Sequence, residues 1–397
     1  MRHKSLDLYG AEYPGTSTGT VFDTAGHHLE ADEKTSSAKG IVPLSAALLL
    51  CCSLPAFGGQ DECRAQDQNR DPWTANFFLD NDLFTETDRN YTNGIRFSLI
   101  SPNVDSFISD PCLPQWVREV NQRLTFLDAV DDENANKQRN LVISFGQQIY
   151  TPEDLNRTTV DPDDRPYAGW LYAGFAYQSR KGNQLRTTEL NVGIIGPAAL
   201  GKEAQDFIHD LRGFEKFQGW DNQLRNEPGF QLVHELKQRV PQQPLVGPLS
   251  YDLIVHAGGS LGNVATYLNT GAEFRLGWHL PDDFGTSALR AGGDNSAPGA
   301  ADDRYQSSKR SNNLGAHLYV SGDARYVLHD IFLDGNTFRD SHSIDKEPLV
   351  GEVTVGMAVL YHGVKLSYSR VHRSREFKGQ REGHNYGALS LSYSFEF

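Results

Sequence analysis

"GALSLSYSFEF", Gly387–Phe397, alternates with a period of two. Leu389, Leu391, Tyr393, Phe395 and Phe397 fall on one side, and Ser390, Ser392, Ser394 and Glu396 on the other. Successive side chains of a β-strand point to opposite faces, so the pattern predicts a strand with one apolar and one small, polar face. "GWLYAGFAYQ" (Gly169–Gln178) repeats it with Leu171, Ala173, Phe175 and Tyr177. "GVKLSYSRV" (Gly363–Val371) does so with Val364, Leu366 and Tyr368. Strands of this kind fit a soluble sandwich with its apolar faces inward. They also fit an outer-membrane barrel whose apolar and aromatic residues face lipid around a polar lumen.

Length and context separate the two. Period-two segments are expected near 74–80, 93–101, 140–150, 169–180, 185–195, 228–237, 249–258, 268–280, 313–327, 350–361, 363–373 and 384–397. Several approach ten residues, the length of a membrane-spanning strand, where ordinary strands average about five or six. The alternating aromatics that lead to Phe397 resemble the signal by which outer-membrane barrels are recognised by the barrel-assembly machinery. The expected fold is therefore all-β: a transmembrane antiparallel β-barrel of about twelve strands in the outer membrane of a Gram-negative cell.

Composition agrees. The 397 residues have 38% hydrophobic content and a mean hydropathy of −0.51, low for a globule with a large core. With 21 Phe and 16 Tyr the chain is too aromatic for disorder, and it suits sheets with one wet face. The net charge of −14 argues against nucleic acid and against charge-driven attraction to anionic lipid. Work beside a phosphate-rich lipid would need local cations or a bound metal.

Residues 1–65 read as an export signal with flanking disordered sequence, ahead of a barrel over 66–397. "IVPLSAALLLCCSLPAF" (Ile41–Phe57) is an apolar run after Lys39 that matches a secretory h-region and falls short of the ~20 residues of a spanning helix. Cleavage would remove Cys51 and Cys52 and leave Cys63 and Cys112 in an oxidising compartment, either paired or as free thiols. No C-x-x-C occurs, so thiolate zinc is not expected.

One segment breaks the strand rhythm. In "PAALGKEAQDFIHDLRGFEKF" (Pro197–Phe217), Leu200, Ala204, Phe207, Ile208 and Leu211 recur at helical spacing, and Gln205 and His209 share a face. A helix inserted between two barrel strands must sit against the wall, in the lumen or at a mouth. A second anomaly is "LDNDLFTETDRNYTNG" (Leu79–Gly94). A turn uses two to five polar residues, yet Asp80, Asn81, Asp82, Asp88, Asn90, Thr92 and Asn93 crowd between two strands. Such oxygen donors suit a hard cation such as calcium, although no EF-hand loop can be read and a solvated loop is the plainer alternative. No G-x-S-x-G elbow and no H-E-x-x-H zinc motif is present.

The ordered blocks carry a resemblance. "NDLF…DRNYTNG" (Asn81–Gly94), "GQQIYTPED" (Gly146–Asp154), "DRPYAGWLYAG" (Asp164–Gly174) and "GPAALGKEAQDFIH" (Gly196–His209) come first. "GWDNQLRNEP" (Gly219–Pro228), "FRLGWHLPDDFG" (Phe274–Gly285) and "LDGNTF" (Leu333–Phe338) follow. Together they resemble the outer-membrane lipid A 3′-O-deacylase family over about Trp73 to Phe397. The resemblance implies a twelve-stranded barrel with its active site between the wall and the inserted helix, open to the outer leaflet. It further implies calcium-dependent removal of the 3′-linked acyloxyacyl chain from lipid A of lipopolysaccharide, among the outer-membrane lipids. By this resemblance the catalytic set is Asn81, Asp82, Thr92, Gln205, His209 and Glu215, with Glu227 as the alternative to Glu215. Asp82, Thr92 and Glu215 would be the metal ligands, and Arg165, in place of a family lysine, and Tyr167 would face the substrate.

The expected chemistry is ester hydrolysis. A histidine with a reference pKa of ~6.5 can take a proton from water at neutral pH, and calcium can stabilise the oxyanion as a Lewis acid. An outer-membrane phospholipase with a serine nucleophile, a channel and a purely structural barrel are the competing readings.

Overall fold

The computed structural model describes residues 71–81, 90–104, 106–108, 110, 113, 115–123, 137–285, 296–305 and 314–395; the side chains of Asn90, Tyr91 and Thr92 are outside that set. The expected export signal, Cys63, Cys112 and Asp82 lie outside the described residues. The chain divides into Met1–Ala56, none of which is described, and Phe57–Phe397, which holds the barrel.

Twelve antiparallel strands close in sequence order, β1 pairing with β12. They are β1 (Trp73–Asn81), β2 (Asn90–Ile100), β3 (Gln138–Thr151), β4 (Ala168–Lys181), β5 (Gln184–Ile195) and β6 (Glu227–Val246). β7 (Leu249–Gly262), β8 (Ala265–Trp278), β9 (Gly315–Asp330), β10 (Leu349–Tyr361), β11 (Val364–Arg373) and β12 (His384–Phe395) complete the wall. The helices are α1 (Gln115–Arg123), α2 (Gly201–Arg212) and the short α3 (Ile331–Asp334).

Which face is wet decides between barrel and sandwich. In β12, Ser390, Ser392 and Ser394 are buried while Leu391 and Tyr393 are exposed. The same inversion runs around the wall, with Phe97, Ile143, Phe145, Val192, Phe230, Leu268, Val320 and Val355 exposed. Their strand neighbours turn inward and pair with one another: Thr74 with Ser394 at 3.2 Å, Asn76 with Ser98 at 3.2 Å, and Ser367 with Ser390 at 2.6 Å. Apolar outside and polar inside is the arrangement a lipid solvent demands, and closure leaves no sheet edge unpaired.

Two departures from the sequence reading have local causes. β6 runs nine residues past the expected 237, through Pro241 and Pro244. Irregular pairing with β7 between Val240 and Gln243 and between Pro244 and Val246 accommodates the missing N–H donors. The expected helix over 197–217 is a 3₁₀ turn (Pro197–Ala199) followed by α2, which stops at Gly213. Gly213 takes the left-handed conformation (φ 71°) and donates its N–H to the His209 carbonyl, a glycine C-cap.

Much of the lumen is occupied. Between β8 and β9, residues 279–285 and 296–305 enter the barrel. There Asp283 binds Arg275 (2.5 Å), Lys365 (2.8 Å) and Arg304 (2.9 Å), and Arg275 also binds Asp252 (2.6 Å). Asp282 holds Arg180 and Arg239, whose guanidinium groups lie over the Phe284 ring. At the other end Ile331 and Phe332 of α3 pack on Trp170, Tyr172 and Val264. A lumen stoppered in this way does not support the channel reading.

Candidate active site on the outer wall

Helix α2 packs on the outside of the barrel. Strand parity settles this, because Ala168, Trp170 and Tyr172 of β4 belong to an interior cluster whereas Gly169 faces the other way. A β-carbon on Gly169 would stand 3.2 Å from the Gly201 Cα and 3.2 Å from the Ala199 Cβ. Two glycines in contact let the helix backbone lie directly on the strand, which a larger side chain at either position would prevent. The 3₁₀ turn is pinned too: Gln147 of β3 donates to the Ala199 carbonyl (2.6 Å), and the Gly196 N–H to the Gly169 carbonyl (3.0 Å).

The strand register then aligns one outward row across four strands. Asn81 pairs with Asn93, Asn93 with Ile149, and Ile149 with Gly169. Asn81 is only 7% exposed despite its outward parity, so this part of the wall is covered. β2 carries an irregularity between Tyr91 and Asn93 opposite β3, which leaves Thr92 as the extra, bulged residue. Bulges of this kind re-aim side chains and recur beside active sites.

Gly201, Gln205 and His209, four residues apart, form the buried face of α2. Ala204 packs on a cluster of Ile149, Tyr167, Phe217 and Trp220. After the Gly213 cap the chain doubles back, and the Glu215 carbonyl meets His209 Nδ1 at 2.5 Å. A carbonyl only accepts, so Nδ1 carries the proton, and in the neutral ring Nε2 is the atom able to take another. Phe214 and Phe217 stand edge-on to the imidazole at 6.0 and 5.8 Å, and Tyr167 packs against Phe217 and Trp220. His209 is thus fixed in tautomer and orientation and screened from bulk water.

Several polar atoms here are buried with no hydrogen-bond partner among the described residues: both ends of the Gln205 amide, Asn93 Oδ1 and Trp220 Nε1. Burial pushes the Tyr167 phenol up to about 12, which keeps it a proton donor at neutral pH. Unsatisfied groups of this sort are rare in folded proteins and require a reason, an unseen ligand among them.

The expected residues fare differently. Gln205 and His209 share the buried face of α2, whereas Asn81 lies three strands from Gly169 in the same outward row, with Thr92 near it on the backbone of β2. Glu215 contributes its main-chain carbonyl, while its side chain is exposed. Glu227 turns into the barrel, where its carboxylate accepts the N–H groups of Thr337 (3.1 Å) and Phe338 (3.3 Å). Arg165, expected to face the substrate, is held inside the protein. Its side chain is 1% exposed, paired with Glu376 at 2.8 Å, and held over Tyr150 and Phe377, so it is not open to a substrate phosphate. Tyr167 is buried against the loop that supports His209.

Gly169, Gly201 and Trp220 are the residues that the sequence reading passed over. The surplus of oxygen donors before Gly94 already included Asn93, but only the strand register shows that it shares a row with Asn81. Among the described residues no group of three or more His, Cys, Asp or Glu side chains could hold a metal ion. An oxygen-donor set drawn from amides, hydroxyls and Asp82 falls outside that description.

Comparison with curated proteins finds no match. Among solved structures, the barrel is similar to LpxR from Salmonella typhimurium, with a TM-score of 0.61 and 19% identity, over 81% of this chain and 99% of that one. The β domain of the Bordetella autotransporter Brka gives a TM-score of 0.38 at 8% identity, over 83% of this chain and 100% of that one. The family model for outer membrane protein LpxR matches residues 44–395. That span covers nearly the whole barrel, and the protein is a member of the outer membrane protein LpxR family.

Proposed function

We propose that the protein is a lipid A 3′-O-deacylase, an ester hydrolase that works between α2 and the outer wall, with His209 as its general base. The observation that carries this reading is the His209 imidazole. It is buried on the lipid-side surface of an outer-membrane barrel and fixed through Nδ1. A lipid that stays in the leaflet reaches such a site without leaving the membrane. Phe207 and Leu211 are 55% and 71% exposed on α2 and give an acyl chain an apolar approach.

In this scheme Nε2 takes a proton from water, and the oxygen attacks the ester carbonyl. The same proton then passes to the departing hydroxyl, so the ring returns to its starting tautomer. Asn81, Asn93 and Gln205 orient the ester, and Tyr167 and Trp220 hold the loop whose Glu215 carbonyl steers the imidazole. Calcium fits the residues present, since the orphaned Gln205 Oε1 and Asn93 Oδ1 are the hard oxygen donors it prefers. Asp82, Thr92 and Gln205 are the proposed holders of such an ion. When bound, it would supply Lewis-acid stabilisation of developing negative charge and would offset the repulsion between an acidic protein and an anionic lipid.

Mass spectra of lipid A from an outer membrane carrying the wild-type protein test the reading, with and without a calcium chelator. Loss of one acyloxyacyl unit only in the untreated sample is the expected result. Unchanged lipid A in both would overturn it.

A further inference from the structure

The outer wall carries a second helix. Leu141 and Tyr177 pair across β3 and β4 and face outward, because their neighbours Val142 and Ala176 pack inside against Ile100 and Ala297. On the outer side Leu141 and Tyr177 are covered by Val104, Phe107 and Leu113, which precede α1, and by Val117 of α1 itself. The Tyr177 hydroxyl donates to Asn121 of α1 at 3.0 Å. Helix α1 therefore stands on the lipid-facing side of the same two strands as α2, at the opposite end.

The spacing of the two helices matches a bilayer. Ile149 under α2 and Leu141 under α1 are eight residues apart on β3. At ~3.3 Å per residue and a strand tilt near 40°, that is about 20 Å along the barrel axis, against an apolar band of ~25 Å. Between them the wall shows Phe97, Ile143 and Phe145 to the outside. Three of the four two-residue connections, between β4 and β5, β6 and β7, and β10 and β11, lie at the end that carries α1; the fourth, between β7 and β8, lies at the other. Short turns mark the periplasmic side of such barrels.

Helix α1 has the faces of a helix lying in a corner. Val117 and Asn121 are buried against the wall. Trp116 and Val120 are 53% and 38% exposed; at about 100° per residue they lie about a quarter turn to one side of the buried face. Arg118 and Gln122 lie on its other side. A helix wedged between a vertical wall and a horizontal bilayer surface needs this pattern: one face for the wall, an adjoining apolar face for the lipid, and the rest for water. Trp at the contact and Arg118 and Arg123 nearby suit the headgroup boundary, where an indole's apolar body and polar N–H are both satisfied.

We propose that α1 is an interfacial helix seated on the inner leaflet of the outer membrane, with Trp116 and Val120 in the boundary between headgroups and acyl chains. Its partner is the phospholipid surface itself, on the leaflet opposite the candidate active site.

The test uses the full barrel in vesicles of phosphatidylethanolamine and phosphatidylglycerol. Nitroxide labels at Val120→Cys and Gln122→Cys, with Cys63 and Cys112 replaced by Ser, are compared for collision with oxygen and with a nickel chelate. Preference for oxygen at 120 and for nickel at 122 is expected; equal preference for nickel at both would overturn the proposal. A second measurement leaves the native cysteines in place. Brominated acyl chains should quench a part of the tryptophan emission that is lost in Trp116→Phe. Identical quenching in the two proteins would also overturn it.

Discussion

Two buried polar regions sit at opposite ends of the barrel and are built on opposite terms. In the lumen plug the charges answer one another: Asp283 meets Arg275, Lys365 and Arg304, and Arg275 also meets Asp252. Under α2, on the outer wall, the Gln205 amide, Asn93 Oδ1 and Trp220 Nε1 are buried without partners among the described residues. Low-dielectric surroundings make unpaired polar groups expensive. The first region pairs its charges, although both ring nitrogens of His317 beside them lack a partner among the described residues, and the second presents neutral polar groups without partners. That contrast, more than the number of polar residues, separates a stopper from a candidate active site.

Mutations should divide along the same line. The largest effect is expected from His209→Ala. Loss of a general base lowers turnover by about 10²–10⁴-fold, while heat-modifiable migration, a measure of barrel folding, stays as in wild type. A fall in both would place His209 among the structural groups.

In the plug the reverse holds. Asp283→Ala leaves Lys365, Arg275 and Arg304 buried without their counter-charge. It should remove about 3–5 kcal/mol of stability, read by denaturant unfolding, with activity per folded molecule retained. The plug also has a pH signature. Burial opposes ionisation of Asp283, but Lys365, Arg275 and Arg304 overcome it and hold the carboxyl well below the usual range. A carboxyl depressed in this way stabilises the fold at neutral pH. That contribution is lost only as pH falls below the ordinary carboxylate range and through the native value. Acid titration of stability should therefore show a late loss that Asp283→Asn abolishes.

A smaller effect is expected at Gln205. Gln205→Leu keeps the volume and removes the orphaned amide. Turnover should fall by about 10²-fold, as for a lost oxyanion-side group, with stability unchanged or slightly higher. A clear loss of stability would mean that the amide is satisfied after all. Smallest is Gly169→Ala. The new methyl group would stand 3.2 Å from Gly201 and lift α2 slightly, which overpacking data put at about 1–3 kcal/mol. A rise in KM together with a stability loss of that size is the expected reading.

Much of the fold was legible because a barrel writes its period into every strand. The serines of "GALSLSYSFEF" and the aromatics of "GWLYAGFAYQ" already sorted themselves by face. Sequence could not say which face was wet; strand length and the terminal aromatics had to decide that. It also could not place the helix, since helical spacing gives a buried face without naming what buries it. The Gly169–Gly201 contact is what sets α2 against the outer wall. Gln205 and His209 were visible at i and i+4, and Asn81 by its crowding. The ion pair of Arg165 was not legible, because an arginine beside a tyrosine looks the same in sequence whether it awaits a phosphate or holds Glu376. The main-chain use of Glu215 was hidden for a related reason: a carbonyl has no letter of its own.

The most direct test compares the two regions in one measurement: mass spectra of lipid A from outer membranes carrying equal folded amounts of His209→Ala and Asp283→Ala. Intact lipid A with the first and loss of an acyloxyacyl unit with the second is the predicted outcome. Deacylation by His209→Ala would contradict the claim that the chemistry resides beneath α2.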